Sequence, residues 1–285
     1  MARGKRRARQ EAEHERLLRR GTDDHYQDTE LYDFEYADRE DDLRWYRELA
    51  QRRAPQAILE LGAGSGRITV PLARAGHRVI ALDRMDAMLD ALRRHLDEEE
   101  ELRGTVEIVQ ADMRELPLDE SSVDLVIAPF NALMHLYTWQ DLLACFREVA
   151  RVLAPGGAFA FDVELPDLEW LTWDPDERHA VTRFVHPRTG QKLIYSTNHR
   201  YDPETQICHI RLYYDDAPPP GRRFVPPPRP RKLVHLAHRE VFPEEVRLLI
   251  HAAGLRLEEH TGDFNGGPLG PGVQSQVLLC SKPAE

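Results

Sequence analysis

The sequence predicts a doubly wound α/β fold, and three observations carry that prediction. Short apolar runs of about five residues alternate with amphipathic segments of helical period. The first run ends in a turn with three glycines in five residues, Gly62-Ala63-Gly64-Ser65-Gly66. Later runs end in acidic or polar residues at comparable positions. Strands this short and this apolar belong in a parallel sheet covered on both faces. Right-handed crossovers then bring their C-terminal ends to one edge, where such sheets bind ligands.

The elements follow in order. Asp41 to Ala50 reads as a helix with Leu43, Tyr46, Leu49 and Ala50 on one side. Ala57 to Leu61 is the first strand, and Ile68 to Ala75 a helix stopped at Gly76. Arg78 to Leu82 is the second strand, Ala87 to Leu102 a helix, Val106 to Gln110 the third strand and Val123 to Ala128 the fourth. Leu142 to Leu153 is an amphipathic helix closed by Ala154-Pro155-Gly156-Gly157, and Ala158 to Val163 is the fifth strand.

From about Arg178 to Asp216 the rhythm changes. Two turn signals, Pro187-Arg188-Thr189-Gly190 and Asp202-Pro203-Glu204-Thr205, separate three alternating runs that read as antiparallel strands. Residues 217–232 hold seven prolines in sixteen positions and read as an extended connector or lid. Val234 to Val241 is a further strand and Pro243 to Ala253 a helix ended by Gly254. Leu255 to Thr261 and Gln276 to Ser281 are the last strands. The organisation expected is a basic flexible tail over 1–22, an N-terminal helical lid over 23–54, a core over 55–166 and 234–285, and an antiparallel insert with its connector over 167–233.

Composition narrows the function. A net charge of −11 disfavours nucleic acid as the main partner. Eight basic residues within the first twenty pull locally the other way, and a solvated tail is the simpler reading. The three cysteines are widely spaced, with no CxxC and no Cys/His cluster, which predicts a reducing compartment and no metal. No apolar stretch approaches the ~20 residues that cross a bilayer, and no apolar h-region suggests export. The expectation is a cytoplasmic protein with no membrane partner.

Three strand ends carry chemistry. In Glu60-Leu61-Gly62-Ala63-Gly64-Ser65-Gly66, glycines let backbone N–H groups approach an anionic ligand beside the positive end of a helix dipole. The position of a dinucleotide fingerprint's third glycine holds Arg67, which counts against NAD. Asp83 ends the second strand, where a carboxylate accepts hydrogen bonds from ribose hydroxyls. Asp112, in Gln110-Ala111-Asp112-Met113, is placed to accept an adenine amine, with Met113 adding an N–H and an apolar face.

Together ELGAGSGR, ALDRMDAML, QADMRELPL, VDLVIAPFNALMHL and REVARVLAPGGAFAFDV resemble the class I S-adenosylmethionine-dependent methyltransferases, over about Leu43 to Pro166 and again from Val234. The resemblance implies a Rossmann-like seven-stranded sheet with a reversed C-terminal β-hairpin, and an antiparallel β insert. It implies S-adenosyl-L-methionine as cofactor. Glu60, Gly62, Ala63, Gly64 and Gly66 would hold its methionine part, Asp83 with Arg84 its ribose, and Ala111, Asp112 and Met113 its adenine. Phe130 and Asn131 would line the reaction side. The stretch Tyr26 to Tyr46 is similar to the N-terminal lid of the small-molecule N-methyltransferases acting on glycine-type amines and amino sugars. Tyr32 and Tyr36 would then stack over the cofactor or anchor the helix. Asn131 and His135, four apart, would share a helix face, with His135 as a candidate base.

The expected activity is methyl transfer to a small-molecule acceptor, at an amine nitrogen. The alternatives are an O-methyltransferase on a natural-product-like acceptor, a non-catalytic S-adenosylmethionine-binding protein, and a nicotinamide oxidoreductase. The insert suits a lid or the surface of a homodimer equally.

Overall fold

In a computed structural model, residues 15–102, 104–219 and 221–284 are described. They divide into two compact units. One comprises the described residues up to Glu35 with Leu168–Arg239, and the other Tyr36–Asp167 with the residues from Glu240 onward.

The larger unit is the doubly wound sheet. Helix α1 (residues 15–23) and most of α2 (Thr29–Tyr36) belong to the smaller unit, and α3 (Asp41–Arg53) opens the larger one. Then β1 (Ile58–Leu61), α4 (Thr69–Arg74), β2 (Val79–Asp83), α5 (Asp86–Asp97), β3 (Val106–Gln110), β4 (Val123–Ala128), α6 (Trp139–Val152) and β5 (Leu153–Glu164) alternate as expected. The smaller unit's strands are β6 (His179–Val185), β7 (Lys192–Asp202), β8 (Ile207–Asp216) and β9 (Lys232–Arg239). The chain then returns to the larger unit through α7 (Pro243–Ala252), β10 (Arg256–Thr261) and β11 (Ser275–Ser281).

The seven-stranded order is β10-β11-β5-β4-β1-β2-β3. β1 to β5 pair in parallel, and β11 runs antiparallel to both β5 and β10. The strand order reverses between β1 and β4, which places a crevice at their C-terminal ends. The core lies on both faces, as fully buried apolar strands require. Phe146, Phe159 and Phe161 pack with Cys145, Val149 and Val152 of α6, while Tyr46, Leu49 and Ala50 of α3 cover Ile58, Leu125 and Ile127. Val70, Ala73, Leu89 and Leu92 form a third cluster with Ala81.

The smaller unit is a four-stranded antiparallel sheet in the order β6-β7-β8-β9. Leu31 of α2 joins Leu212, Tyr214, Val234 and Leu236 in its apolar cluster. Glu35 accepts a hydrogen bond from the Tyr214 hydroxyl at 2.7 Å, and burial pushes its carboxyl up to about 7. Lys232 pairs with Asp28 at 2.7 Å.

The structure corrects several boundaries. Residues 234–239 were expected in the core, but β9 pairs with β8 over eight residue pairs, Ile207↔Arg239 to Tyr214↔Lys232. Alternation in KLVHLAHR suits either sheet, and partner choice is a long-range property. Within the expected flexible tail, residues 15–22 are helical; residues 1–14 lie outside the described ones. The expected lid over 23–54 is divided between Glu35 and Tyr36. The helix after β2 ends at Asp97, with a separate 3-10 turn over Glu100–Leu102. The Pro-Gly-Gly turn is absorbed into β5, which starts at Leu153.

Candidate active site

Five parallel strands end on one edge of the larger unit, and the residues singled out in the sequence follow those ends. After β1 the chain turns through Gly62 (φ 71°), Gly64 (φ 58°) and Gly66 (φ 95°). This is backbone that favours glycine. A Cβ at Gly62 would stand 2.8 Å from Ala132 Cβ, and one at Gly66 would stand 2.4 Å from Leu92 Cδ1. The Gly62 and Ala63 N–H groups both donate to Leu82 O, at 2.8 and 3.0 Å, which seats the loop against β2. His95 Nδ1 lies 2.9 Å from Ser65 O on its far side.

Glu60 is buried at the end of β1. It accepts a hydrogen bond from the Thr69 hydroxyl at 2.6 Å, and desolvation pushes its carboxyl up to about 8. Its observed contact ties β1 to the start of α4, so it supports the loop.

Asp83 is the hinge between loop and sheet. Its Oδ2 accepts from Gly64 N–H at 2.9 Å and its Oδ1 from Met85 N–H at 2.8 Å. Burial raises its carboxyl above the ordinary range, opposed by those backbone donors. The Arg84 N–H also donates to this carboxylate, which keeps acceptor capacity for a further donor. Arg84 beside it is exposed, and its carbonyl accepts from Gln110 Nε2 at 3.4 Å. The Ala111 N–H donates to Asp83 O at 3.1 Å, which locks the end of β3 to that of β2.

Asp112 is held by a residue that sequence reading passed over. Arg114 grips it with Nε at 2.9 Å and Nη2 at 2.6 Å, and also reaches Asp141 at 2.6 Å. The guanidinium holds the Asp112 carboxyl below the usual carboxylate range. Met113 comes within about 4.0 Å of where a Gly62 side chain would begin, so the β3 end meets the glycine loop.

The turn after β4 is made without glycine. Phe130 (φ 54°) and Asn131 (φ 64°) both adopt the left-handed region. The Phe130 N–H donates to Asp162 Oδ1 at 2.9 Å, and the Tyr46 hydroxyl donates to the same oxygen at 2.7 Å. Burial pushes the Asp162 carboxyl up to about 6. Over the Phe130 ring lie the guanidinium groups of Arg39, at 4.5 Å, and Arg67, at 5.1 Å. Tyr36 meets its edge at 4.7 Å. Arg67 is itself anchored on Asp42, Nη1 to Oδ1 at 3.0 Å. Asn131 Nδ2 donates to Glu164 Oε1, at the end of β5, at 3.3 Å.

Two expected placements change. His135 ends a four-residue 3-10 helix, Ala132–His135, capped by Asn131. The spacing of four therefore does not give a shared α-helical face, because the turn holds about three residues. Tyr32 belongs to the smaller unit, packed at 5.5 Å from His25 and 5.6 Å from Tyr26. That is an anchoring environment, whereas Tyr36 stands at Phe130. Sequence reading missed Arg39, Arg114, Asp162 and Glu164, and took Arg67 only as a departure from the dinucleotide fingerprint. The two acids were findable by the rule that found Asp83, a carboxylate at a strand's C-terminal end.

Comparison with known proteins agrees with this edge. Residues 58–157 match a family described as a methyltransferase domain. An uncharacterized methyltransferase of Mycobacterium tuberculosis is 40% identical over 115 residues, 40% of this chain and 41% of the relative. The cypemycin N-terminal methyltransferase of a Streptomyces species is 36% identical over 111 residues, 39% of this chain and 43% of the relative. The matches thus span about two fifths of each relative's own length. Among solved structures, the sugar N-methyltransferase KedS8 from a Streptoalloteichus species superposes with a TM-score of 0.64 at 19% identity. The superposition covers 89% of this chain and 93% of that one, and bears on the fold.

Fold and family match coincide: residues 58–157 match a methyltransferase domain, and they run from β1 into β5, the five parallel strands of the seven-stranded sheet. Among the described residues no helix is long and apolar enough to cross a membrane.

Proposed function

We propose that the protein transfers the methyl group of S-adenosylmethionine to a nitrogen of a small-molecule amine. The observation that carries the cofactor assignment is the Asp83 clamp. A carboxylate with acceptor capacity to spare is fixed between the glycine loop and the start of α5. The residues fit the group in other respects. The left-handed glycines leave a cradle that side chains would fill, and Asp112 is fixed with Met113 close to that loop. In this reading Gly62, Ala63, Gly64 and Gly66 hold the methionine part, with Glu60 supporting the loop. Asp83 takes the ribose, with Arg84 at its rim. Ala111, Asp112 and Met113 take the adenine, while Phe130 and Asn131 border the methyl group.

When bound, S-adenosylmethionine supplies a methyl carbon made electrophilic by a sulfonium. The protein's task is to align the nucleophile with that carbon and to keep water out. The tightly packed Phe130–Tyr36–Arg39 group supplies a fixed wall for that purpose. The nitrogen acceptor is supported by the names of two proteins this chain is similar to, an N-terminal methyltransferase and a sugar N-methyltransferase. His135 stays as a candidate proton acceptor, testable by substitution to Ala.

Calorimetric titration with S-adenosylhomocysteine, with NADH in parallel, tests the cofactor. Micromolar binding of the former alone is expected. Asp83→Ala should weaken it about 10- to 100-fold, because ribose hydroxyls lose a charged acceptor worth roughly 1.5–3 kcal/mol. Unchanged affinity removes the ribose assignment. Screening amines and hydroxyl compounds with labelled donor then decides the acceptor atom.

A further inference from the structure

The described carboxylates at the parallel-strand ends do different work. Asp83 and Asp112 are each held by fixed donors and belong to the cofactor reading above. Asp162 is buried under Tyr46 and the Phe130 N–H. Glu164, the last residue of β5, is solvent-exposed, and its carboxylate accepts a hydrogen bond from Asn131 Nδ2 at 3.3 Å. Protein groups nevertheless crowd it closely enough to raise its carboxyl above the ordinary range by desolvation. An exposed carboxylate crowded in this way is accessible and incompletely hydrated.

A second carboxylate stands behind it. Gln276 Nε2 donates both to Glu164 O, at 3.3 Å, and to Val241 O, at 2.7 Å, and so ties the end of β5 to the segment Glu240-Val241. Glu240 is 2% exposed, and its Oε1 is buried with no hydrogen-bond partner among the described residues. Burial first, and then the charge of Glu164, push its carboxyl up to about 8. A buried, unpartnered acid is costly, and such groups mark sites built for something other than stability. The cation on the other side is Arg39, whose guanidinium lies over Phe130. His260 Nε2 lies 3.2 Å from Gln276 Oε1.

We infer that Glu164, positioned by Asn131 and backed by Glu240, is the carboxylate that receives the acceptor amine as its ammonium ion and takes its proton. This rests on the amine reading above. Alkylamines are cationic near neutral pH, so the nucleophile must shed a proton before its lone pair is free. The proton passes to a Glu164 oxygen. The nitrogen lone pair then forms the N–C bond, and the C–S bond breaks with its electron pair going to sulfur. Glu240, carrying its proton at neutral pH, leaves the pair with a single negative charge, matched to one ammonium. Loss of that ammonium's proton to solvent through Glu164 resets the site. Asn131, in its left-handed turn after β4, holds Glu164 at the reaction side without competing for its second oxygen.

The test compares wild type, Glu164→Gln and Glu164→Asp, each as the full chain. Glutamine keeps the acceptor atom for Asn131 and removes only the charge. S-adenosylhomocysteine affinity by calorimetry should stay within twofold for both variants. With a panel of primary and secondary alkylamines and amino sugars, Glu164→Gln should lose at least 100-fold in kcat/KM. A raised KM and a missing acid limb in the pH–rate profile should accompany that loss. Glu164→Asp should retain a tenth or more of the activity. Equal turnover by Glu164→Gln and wild type overturns the inference and leaves the amine reading standing. Loss of S-adenosylhomocysteine binding in both variants also overturns it, because Glu164 would then act through the cofactor or the fold. Wild-type transfer to hydroxyl compounds and to no amine sinks the amine reading itself, and the inference with it.

Discussion

The turns after β1 and after β4 do the same job by opposite means. Both reverse the chain at the crevice where strand order switches, and both need left-handed backbone. After β1 that backbone is supplied by Gly62, Gly64 and Gly66 at little steric cost. After β4 it is imposed on Phe130 and Asn131, where each left-handed residue costs on the order of 1–2 kcal/mol. The offset comes from Asp162, Tyr46 and the cations over the Phe130 ring. One turn is permitted by what its residues lack, the other enforced by what surrounds them. The first commits backbone N–H groups to Leu82 O and Asp83; the second presents side chains.

That comparison can be broken at either end. The largest effect is expected from Gly62→Val. Its branched side chain would enter a left-handed position and meet Ala132 Cβ at 2.8 Å, within contact where real atoms do not stand. We expect S-adenosylhomocysteine affinity to drop more than about 100-fold, a loss of roughly 3 kcal/mol or more. Calorimetry on the folded variant checks it. Affinity within threefold of wild type would mean that the loop is not the cradle.

Asp162→Ala comes next. It leaves the Tyr46 hydroxyl and the Phe130 N–H without their acceptor in a buried place, at roughly 2–3 kcal/mol. The thermal midpoint should fall by about 5–10 °C. Asp162→Asn keeps an acceptor oxygen and should recover at least half of that loss. If Asp162→Ala melts with the wild type, the β4 turn holds itself.

The smallest effect sharpens the comparison through pH. Burial raises Glu240 from 4.5 to about 8, so the folded protein keeps a proton there that the unfolded chain releases in between. The stability of the protonated acid is complete below 4.5 and is lost as pH rises through 8. Wild type should therefore lose about 3 °C or more of thermal midpoint between pH 5 and pH 8 relative to Glu240→Gln. Parallel curves would show that Glu240 titrates as it does in the unfolded chain.

The same contrast explains what was legible in the sequence. Glycine announces a left-handed turn in the residue itself, and Asp83 announces a strand end, so both were readable from local spacing. Phe130 and Asn131 carry no such mark. Their conformation depends on Asp162, more than thirty residues on, and on Arg39 and Tyr46, far earlier in the chain. The helical reading of Asn131 and His135 failed for the same reason: the turn after β4 is fixed by long-range contacts that shorten it to 3-10 geometry. The strand rhythm of the larger unit followed from apolar period alone. The allegiance of β9 did not, since KLVHLAHR fits either sheet and only its pairing with β8 decides.

The reversed hairpin also has a consequence for synthesis. β5 is flanked by β4 on one side and by β11 on the other, and the register joins Glu164 to Ser275 and Ala158 to Ser281. Gln276 and Glu164, which meet across it, are 112 positions apart. A ribosome must therefore deliver the whole smaller unit, α7 and β10 before β5 gains its second neighbour. Until then the nascent chain carries an apolar strand with a bare edge, a template for the wrong partner. The antiparallel unit is complete at β9, before that gap is filled, so the inserted sheet has the means to fold while its host still waits for its last strand.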